Sequence, residues 1–279
     1  MGEIVNVKEI VENKKIELKN RIRLLNKRNI SPKLALILAN DEAASRVYVG
    51  NKRKLCHELN VLEEEYTFDE KITTKQLLEV IEKLNNDSSV DGILVQLPLY
   101  SHLDESRILD AISPKKDVDG FHKVNLGGLM VNEDGIIPCT PKGIMTILKS
   151  LKVDLNGKNA VIVGRSRIVG KPMASLLLNE NATVTICHSK TKDLKSYTSM
   201  ADILIVAVGK PCIISKDMVK ENAIILDVGI NRVDDKLKGD VDTQDVLSKV
   251  KYVTKVPGGV GLTTVISLIE NLVEIAEKR

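Results

Sequence analysis

The chain has 279 residues, of which 43% are hydrophobic and 3% aromatic, and it carries a net charge of +3. This length and apolar content suffice for two domain cores, whereas the small charge and the scarcity of aromatic residues argue against a nucleic-acid-binding protein. Four cysteines without a Cys-x-x-Cys pair, no signal-peptide pattern and no apolar run of membrane length predict a cytoplasmic protein with no membrane segment and no metal site.

Short apolar runs alternate with amphipathic segments along the chain, which is typical of βα units and mainly parallel sheets. In the first half, strands are predicted near residues 34–39, 65–68 and 92–97, and helices near 44–59, 74–85 and 105–111. A stretch rich in turn-forming residues, 117–141, follows. In the second half, a helix at 142–151 precedes strands at 160–163, 183–186, 203–208, 223–228 and 252–254, and a last helix at 263–278.

This order of elements predicts an α/β protein of two domains. The first is an N-terminal α/β substrate domain of residues 1–140, completed by the last helix at 263–279. The second, residues 141–262, is a Rossmann-type nucleotide-binding domain with a mainly parallel sheet.

A nucleotide-binding turn lies in the middle of the chain, in Val161-Ile-Val-Gly-Arg-Ser-Arg-Ile-Val-Gly-Lys-Pro172. A strand runs into Gly164, and Gly170 opens the next helix, whose N-terminus is suited to binding phosphate. A dinucleotide turn usually has glycine at its first, third and sixth positions, where this chain has Gly164, Ser166 and Val169. An ordinary strand-to-helix turn therefore stays open as the alternative.

The residues after the following strand indicate which nucleotide binds. NAD sites normally place an acidic residue there, about 20 positions after the turn, to bind the adenosine ribose. This chain instead has Cys187-His-Ser-Lys190, without a carboxylate. These hydroxyl and cationic groups, together with Arg165, suit the 2′-phosphate of NADP. For His188 the alternative is a structural role, in which the side chain only forms hydrogen bonds within the protein.

Tyr48 and Lys52 lie four residues apart on one predicted helix and share a face with Leu55 and Leu59. A lysine on the apolar side of a helix is partly withdrawn from water, which suits it to proton transfer. The alternative is a lysine that extends past the edge of the apolar stripe into solvent.

Two further polar positions stand out beside apolar strands. Gln96 interrupts the run from Gly92 to Pro98 near its carboxyl end, where ligands bind in open α/β sheets. It can hydrogen-bond a neighbouring lysine or cap the strand. Of the two acids in Lys116-Asp-Val-Asp-Gly-Phe-His122, Asp117 is assigned to turn chemistry and Asp119 to ligand contact.

These residues belong to eight short motifs. The motifs are Ser45-x-x-Tyr48-x-x-x-Lys52, Val95-Gln-Leu-Pro98, Lys116-Asp-Val-Asp-Gly120, Pro138-Cys-Thr-Pro141, Val163-Gly-Arg-Ser166, Val169-Gly-x-Pro172, Cys187-His-Ser-Lys-Thr191 and Pro257-Gly-Gly-Val-Gly261. In composition and order they resemble the bifunctional methylenetetrahydrofolate dehydrogenase/cyclohydrolase family over nearly the whole chain.

The resemblance implies an enzyme of one-carbon metabolism. It would oxidise 5,10-methylenetetrahydrofolate with NADP to 5,10-methenyltetrahydrofolate, and then hydrolyse that product to 10-formyltetrahydrofolate. The folate would bind to the domain of residues 1–140 and 263–279, and NADP to residues 141–262. Hydride transfer would place the reacting cleft between the two domains, and the hydrolysis needs no metal because the methenyl cation is already electrophilic. The family also implies a homodimer.

The resemblance also implies roles for individual residues. Lys52 would be the catalytic acid/base, Gln96 would tune it, and Tyr48 would line the folate pocket. Asp119 would hold the pterin ring through its exocyclic amine and ring nitrogen. The remaining implied folate contacts are Leu97, Pro257, Gly258 and Gly259. Arg165 and Ser189 would bind the 2′-phosphate, and the other implied NADP contacts are Thr140, Gly164, Ser166, Val169, Gly170, His188 and Ile230.

The chain departs from the family pattern at three places: at Tyr100 and at Lys123, where proline is usual, and at Leu262-Thr263, where Pro-Met is usual. They bear on binding of the folate tail and on the balance of the two activities.

Three other interpretations predict different features. A shikimate- or amino-acid-type dehydrogenase would not require Gln96 and Asp119 together with Tyr48 and Lys52. A short-chain dehydrogenase carries its Tyr-x-x-x-Lys pair after the glycine turn. A non-catalytic NADP-binding regulator predicts degraded cleft residues.

Overall fold

The computed structural model describes residues 2–279, which divide into two compact units. The six-stranded unit, named after its sheet, comprises residues 2–12, 129–133 and 140–264. The three-stranded unit comprises residues 13–128, 134–139 and 265–279. The predicted fold class, α/β with two domains and mainly parallel sheets, is confirmed.

Strands and helices alternate along most of the chain. The strands are β1 (Glu3–Ile4), β2 (Lys33–Leu38), β3 (Leu62–Thr67), β4 (Gly92–Gln96), β5 (Asn159–Val163), β6 (Thr183–Cys187), β7 (Ile203–Val206), β8 (Ile224–Asp227), β9 (Asn231–Val233), β10 (Lys236–Lys238) and β11 (Tyr252–Val253). The helices are α1 (Val7–Lys27), α2 (Ala43–Leu59), α3 (Thr74–Asn86), α4 (Glu105–Ala111), α5 (Lys123–Met130), α6 (Cys139–Ser150), α7 (Gly170–Asn179), α8 (Leu194–Thr198), α9 (Thr243–Val246) and α10 (Val260–Glu277). None of the helices within residues 2–279 is long and apolar enough to cross a membrane.

The sheet of the three-stranded unit has the order β3-β2-β4, with all pairs parallel. Its central strand, β2, is a continuous apolar run, which is typical of a strand covered on both faces. In this sheet Leu38 pairs with Gln96 of β4 and with Thr67 of β3, so the three strands end at one edge. The loops that follow β2 and β4 therefore start side by side.

The sheet of the six-stranded unit has the order β1-β11-β8-β7-β5-β6, again with all pairs parallel. Val163 pairs with Cys187 of β6 and with Val206 of β7, and Val206 pairs with Asp227 of β8. The residues after these strands line one carboxyl edge, where nucleotides bind in open α/β sheets. An antiparallel hairpin of β9 and β10 stands apart from this sheet.

Seven of these elements were not predicted from the sequence: β1, α1, α5, α8, β9, β10 and α9. Three of them have a clear physical reason. Helix α1 is rich in charged residues, but Leu18, Ile22 and Leu25 share one buried face. Helix α5 lies within the turn-rich stretch, where Gly127 and Gly128 argue against a helix. Strand β1 pairs with β11 of the larger sheet, although the predicted boundaries assign the first 140 residues to the other domain.

Candidate active site

A lysine and a glutamine meet at the carboxyl edge of the three-stranded sheet. Lys52, on α2, donates from Nζ to Gln96 Oε1 at 3.0 Å, and Gln96 Nε2 donates to the Leu97 carbonyl at 2.7 Å. Both side chains are half-buried. Because Gln96 ends β4 and uses both ends of its amide, it fixes the position of the lysine amine. The sequence left strand capping and lysine contact as alternatives, and the structure shows the lysine contact.

Tyr48 lies one turn before Lys52 on the same helix and is 45% exposed. Leu55 and Leu59, further along this face, are buried, so the stripe runs from the core to the surface with Lys52 at its midpoint. Leu97 is half-buried and precedes a cis peptide bond to Pro98. The Pro98 carbonyl accepts a hydrogen bond from Asn40 Nδ2 at 2.5 Å, which joins the loops after β2 and β4.

Asp119 lies near enough to Lys52 for their charges to interact. Burial raises the pKa of Asp119 above its ordinary value, the positive charge of Lys52 acts in the opposite direction, and the negative charge of Asp117 adds to the rise. Asp119 as a whole residue is half-buried. The turn after it requires glycine, because Gly120 has φ +73° and a Cβ there would lie 2.6 Å from the Pro138 nitrogen.

Asp117 performs the turn chemistry predicted for it. Its Oδ2 accepts hydrogen bonds from the His122 N–H at 2.8 Å and from Asn125 Nδ2 at 2.9 Å, all within the buried interior. Sequence reasoning did not single out two supports of Asp119. The Cys139 thiol lies 3.8 Å from Asp119 Oδ1, and Asn271 Nδ2 donates to the Val118 carbonyl at 2.8 Å.

The nucleotide turn is built on close backbone contacts. Gly164 has φ +133°, and a Cβ there would collide with the Ala207 carbonyl; a Cβ on Gly170 would collide with the Gly164 carbonyl. Gly170 therefore supplies the close packing that the sixth-position glycine usually provides. Ser166 Oγ accepts from the N–H groups of Val169 at 3.1 Å and Gly170 at 3.3 Å, so it satisfies the first N–H of α7, whose N-cap residue is Val169.

The residues predicted to contact the 2′-phosphate are on the surface of the same unit. Arg165 follows β5 and Ser189 lies just beyond β6, and both are exposed. The His188 ring accepts at Nδ1 from the Lys190 N–H at 3.1 Å, and the backbone N–H of His188 donates to Thr191 Oγ1 at 2.8 Å. The histidine thus shapes the turn that presents Ser189. A bare glycine turn, an exposed cation and an exposed hydroxyl fit a phosphorylated dinucleotide.

The remaining predicted contacts also lie in the six-stranded unit. Thr140 Oγ1 is 3.1 Å from Thr264 Oγ1, and Ile230 is 50% exposed just after β8. Pro257 follows a cis peptide bond, and Gly258 has φ +96°. Gly259 packs against the Lys255 carbonyl, where a Cβ would collide, immediately before α10.

Two buried acids of this unit were not predicted. Asp227 ends β8 and Asp240 precedes α9, and they are 1% and 0% exposed. Gly229 and Gly239 give them room, since a Cβ on either glycine would collide with a carboxyl group of the pair. Burial raises the pKa of Asp227 to about 6, against hydrogen bonds from the N–H groups of Val241 and Asp240 that lower it. The only sequence signal is that Asp227 stands near the carboxyl end of an apolar strand.

Two family models together cover most of the chain. The model described as tetrahydrofolate dehydrogenase/cyclohydrolase, catalytic domain, matches residues 5–119. The model described as tetrahydrofolate dehydrogenase/cyclohydrolase, NAD(P)-binding domain, matches residues 138–279. The bifunctional protein FolD of Bacillus cytotoxicus is 47% identical over 276 residues, which are 99% of this chain and 96% of that relative.

Solved structures agree with this assignment. The bifunctional FolD dehydrogenase/cyclohydrolase of Campylobacter jejuni is 47% identical, with a TM-score of 0.98 and full coverage of both chains. The FolD of Trypanosoma brucei, solved with NADP cofactor and an inhibitor, is 32% identical, with a TM-score of 0.95, and the match covers 99% of this chain and 98% of that one. The resemblance inferred from the eight motifs is confirmed: the chain belongs to the tetrahydrofolate dehydrogenase/cyclohydrolase family.

Proposed function

We propose that this chain is a bifunctional, NADP-dependent methylenetetrahydrofolate dehydrogenase and methenyltetrahydrofolate cyclohydrolase. The observation that carries the proposal is the hydrogen bond between Lys52 and Gln96, with Asp119 within reach of the lysine charge. A positioned amine beside a buried carboxyl, at the carboxyl edge of a parallel sheet, is suited to binding a folate and moving a proton on it. Membership in the family supports both activities.

In the first reaction a hydride leaves the methylene carbon that bridges N5 and N10 of the folate. Bound NADP supplies the acceptor for that hydride. The carbon left behind carries the positive charge of the methenyl product, shared with N5 and N10, so no proton is released. The task of the three-stranded unit is to orient the folate: the Asp119 carboxylate accepts from the pterin amine and ring nitrogen, while Tyr48 and Leu97 line the pocket.

In the second reaction water attacks the methenyl carbon. The new C–O bond forms as the unprotonated Lys52 amine takes one proton from the water. The C–N5 bond then breaks as N5 receives that proton from Lys52, and the hydroxyl oxygen loses its remaining proton to solvent as it becomes the formyl C=O. The net products are 10-formyltetrahydrofolate and one proton. Gln96 occupies one side of the Lys52 amine and directs it to the reacting atoms. An acid/base of this kind contributes roughly 10²–10⁴-fold to a rate.

The six-stranded unit is proposed to bind NADP. Arg165 and Ser189 contact the 2′-phosphate, which a guanidinium and a hydroxyl recognise through charge-assisted hydrogen bonds. The Ser166 hydroxyl accepts two N–H groups and keeps its own hydrogen to donate to the cofactor. Thr140, Gly164, Val169, Gly170, His188 and Ile230 form the rest of the site. Pro257, Gly258 and Gly259 are proposed to contact the folate.

We assign most of the folate contacts to the three-stranded unit and cofactor binding to the six-stranded unit, with residues 2–12 joined to the latter because β1 belongs to its sheet. We place the reactions in the cytoplasm. The cysteines Cys56, Cys139, Cys187 and Cys212 form no disulfide within the described residues, which supports a reducing compartment.

A homodimer is also part of the proposal. Exposed apolar side chains on two linked segments of the six-stranded unit support it: Met130, Val131 and Leu178 are 76%, 66% and 62% exposed, and Asn179 Nδ2 donates to the Leu129 carbonyl at 3.0 Å, which joins the segments that carry them. Light scattering after gel filtration tests this. Leu178→Glu is expected to shift the mass to that of a monomer; a monomeric wild-type protein would contradict the homodimer.

The function is tested by mixing the purified protein with 5,10-methylenetetrahydrofolate and NADP and following the absorbance of NADPH and of the methenyl product. NADPH is expected to accumulate, and methenyltetrahydrofolate added alone is expected to disappear faster than in buffer. No turnover with NADP or with NAD would refute the dehydrogenase. Unaccelerated hydrolysis would refute the cyclohydrolase.

A further inference from the structure

The buried acids Asp227 and Asp240 organise the carboxyl edge of the six-stranded sheet. Asp227 Oδ1 accepts from the N–H groups of Gly229 at 3.1 Å and Asp240 at 3.0 Å, and Oδ2 accepts from the N–H of Val241 at 3.0 Å. The strand β8 thereby holds the segment that carries the second acid. These hydrogen bonds to Asp227 fix the position of Asp240.

The Asp240 carboxylate in turn accepts hydrogen bonds from two other segments. Its Oδ2 accepts from the N–H groups of Val208 at 2.7 Å and Gly209 at 3.0 Å, and its Oδ1 accepts from the N–H of Lys210 at 2.8 Å. Asn231 Nδ2 also donates to Oδ1, at 2.9 Å. Three consecutive amides of the loop after β7, and the side chain that follows Ile230, are therefore fixed by one carboxylate.

The loop after β7 lies against the nucleotide turn. The Ala207 N–H donates to the Val163 carbonyl at 2.8 Å, and the Ala207 carbonyl occupies the space that a side chain on Gly164 would need. Gly209, two residues on, has φ +64° and open space where a side chain would lie. A movement of this loop would therefore alter both the wall of the turn and the open space beside it.

We propose that Asp240 is a positioning residue for the dinucleotide: its carboxylate fixes the Val208–Lys210 loop and the Ile230–Asn231 segment in the arrangement that binds NADP. The inference rests on the proposed NADP-dependent function and extends it to a residue that does not touch the cofactor. The physical reason is that four N–H groups converge on two carboxylate oxygens. An amide in this place would turn an NH₂ group toward some of those donors and release the loop.

The test is Asp240→Asn, measured by calorimetric titration with NADP and by amide hydrogen exchange. The Kd for NADP is expected to rise about tenfold or more, as expected when buried N–H groups lose their acceptor. Amide hydrogen exchange at residues 208–210 is expected to be faster in the variant than in the wild-type protein. The KM for NADP should rise with the Kd, while the KM for methylenetetrahydrofolate and the hydrolysis of methenyltetrahydrofolate without nucleotide should not change.

Asp242→Asn is the matched control. Asp242 lies two residues away and accepts from the Asp245 N–H at 3.2 Å to cap α9, a role that asparagine can also fill. This variant should bind NADP with the wild-type Kd.

A folded Asp240→Asn protein with an unchanged Kd would overturn the proposal. So would a variant in which NADP binding, hydrolysis and thermal stability all fall together, since the role would then be general stability. If Asp240→Asn does not fold, Asn231→Ala decides, because it removes one donor from the carboxylate; a smaller rise in Kd supports the proposal and none overturns it. Wild-type protein that fails to bind NADP would instead refute the proposed function.

Discussion

The candidate sites of the two units consist of different chemical groups. In the three-stranded unit the candidate site is a group of side chains, Lys52, Gln96 and Asp119, that act on one another by hydrogen bond and charge. In the six-stranded unit it is mainly backbone, with glycines at Gly164 and Gly170 and loops fixed by buried carboxylates. The difference matches the tasks: a proton is moved by side chains, whereas a dinucleotide is held by a shaped surface.

The first prediction tests whether the six-stranded unit really contains a buried acid. The Asp227 carboxyl should titrate near pH 6, against about 3.9 in an unfolded chain. Because its pKa is raised in the folded state, its contribution to the free energy of unfolding is lost as pH rises from about 4 to 6, a change of about 3 kcal/mol.

Carbon NMR of the carboxyl groups measures this titration, with Asp227→Asn for assignment. Asp217 serves as an internal control, because its hydrogen bond from Lys195 lowers its pKa to about 2. A midpoint near 4 for Asp227 would show that water reaches the carboxyl and that the buried pair does not exist.

The second prediction concerns the side chain on which cofactor choice depends. Arg165→Ala should raise the KM for NADP by about 10–100-fold, because charge-assisted hydrogen bonds to the 2′-phosphate are lost. The KM for NAD, which has no such phosphate, should stay the same. Arg232→Ala, an exposed arginine of the same unit, is the control and should change neither value. An equal rise in the KM for NADP and for NAD would show that Arg165 does not contact the 2′-phosphate.

The third prediction compares glycines of the two units. Gly164→Ala should destabilise the six-stranded unit by about 1–3 kcal/mol, because φ is +133° and the new methyl group meets the Ala207 carbonyl. Gly127→Ala, inside α5 with open space around it, should stabilise the three-stranded unit by about 0.5–1 kcal/mol. Urea unfolding of both variants measures the change in the free energy of unfolding, which should be opposite in sign for the two. A neutral Gly164→Ala would mean that the turn does not depend on close backbone contact.

The same contrast explains how much the sequence could predict. Gln96 stood out as a polar residue in an apolar strand, and Lys52 as a charge on an apolar helix face, so their contact was foreseen as one of two options. The pairing of Asp227 with Asp240 was not, since they lie 13 positions apart with a hairpin between them and no sequence signal marks Asp240 as inward-facing. Helix α1 was missed because its charged residues outnumber the three leucines and isoleucines of its buried face.

The central claim, that the two units divide chemistry from cofactor binding, is tested most directly with Lys52→Met. Hydrolysis of methenyltetrahydrofolate should fall by about 10³-fold, toward the loss expected for a missing acid/base, while the Kd for NADP stays at the wild-type value. Lys54→Met, an exposed lysine of the same helix, should hydrolyse normally. A fully active Lys52→Met protein, or one that loses NADP binding and hydrolysis together, would contradict the claim.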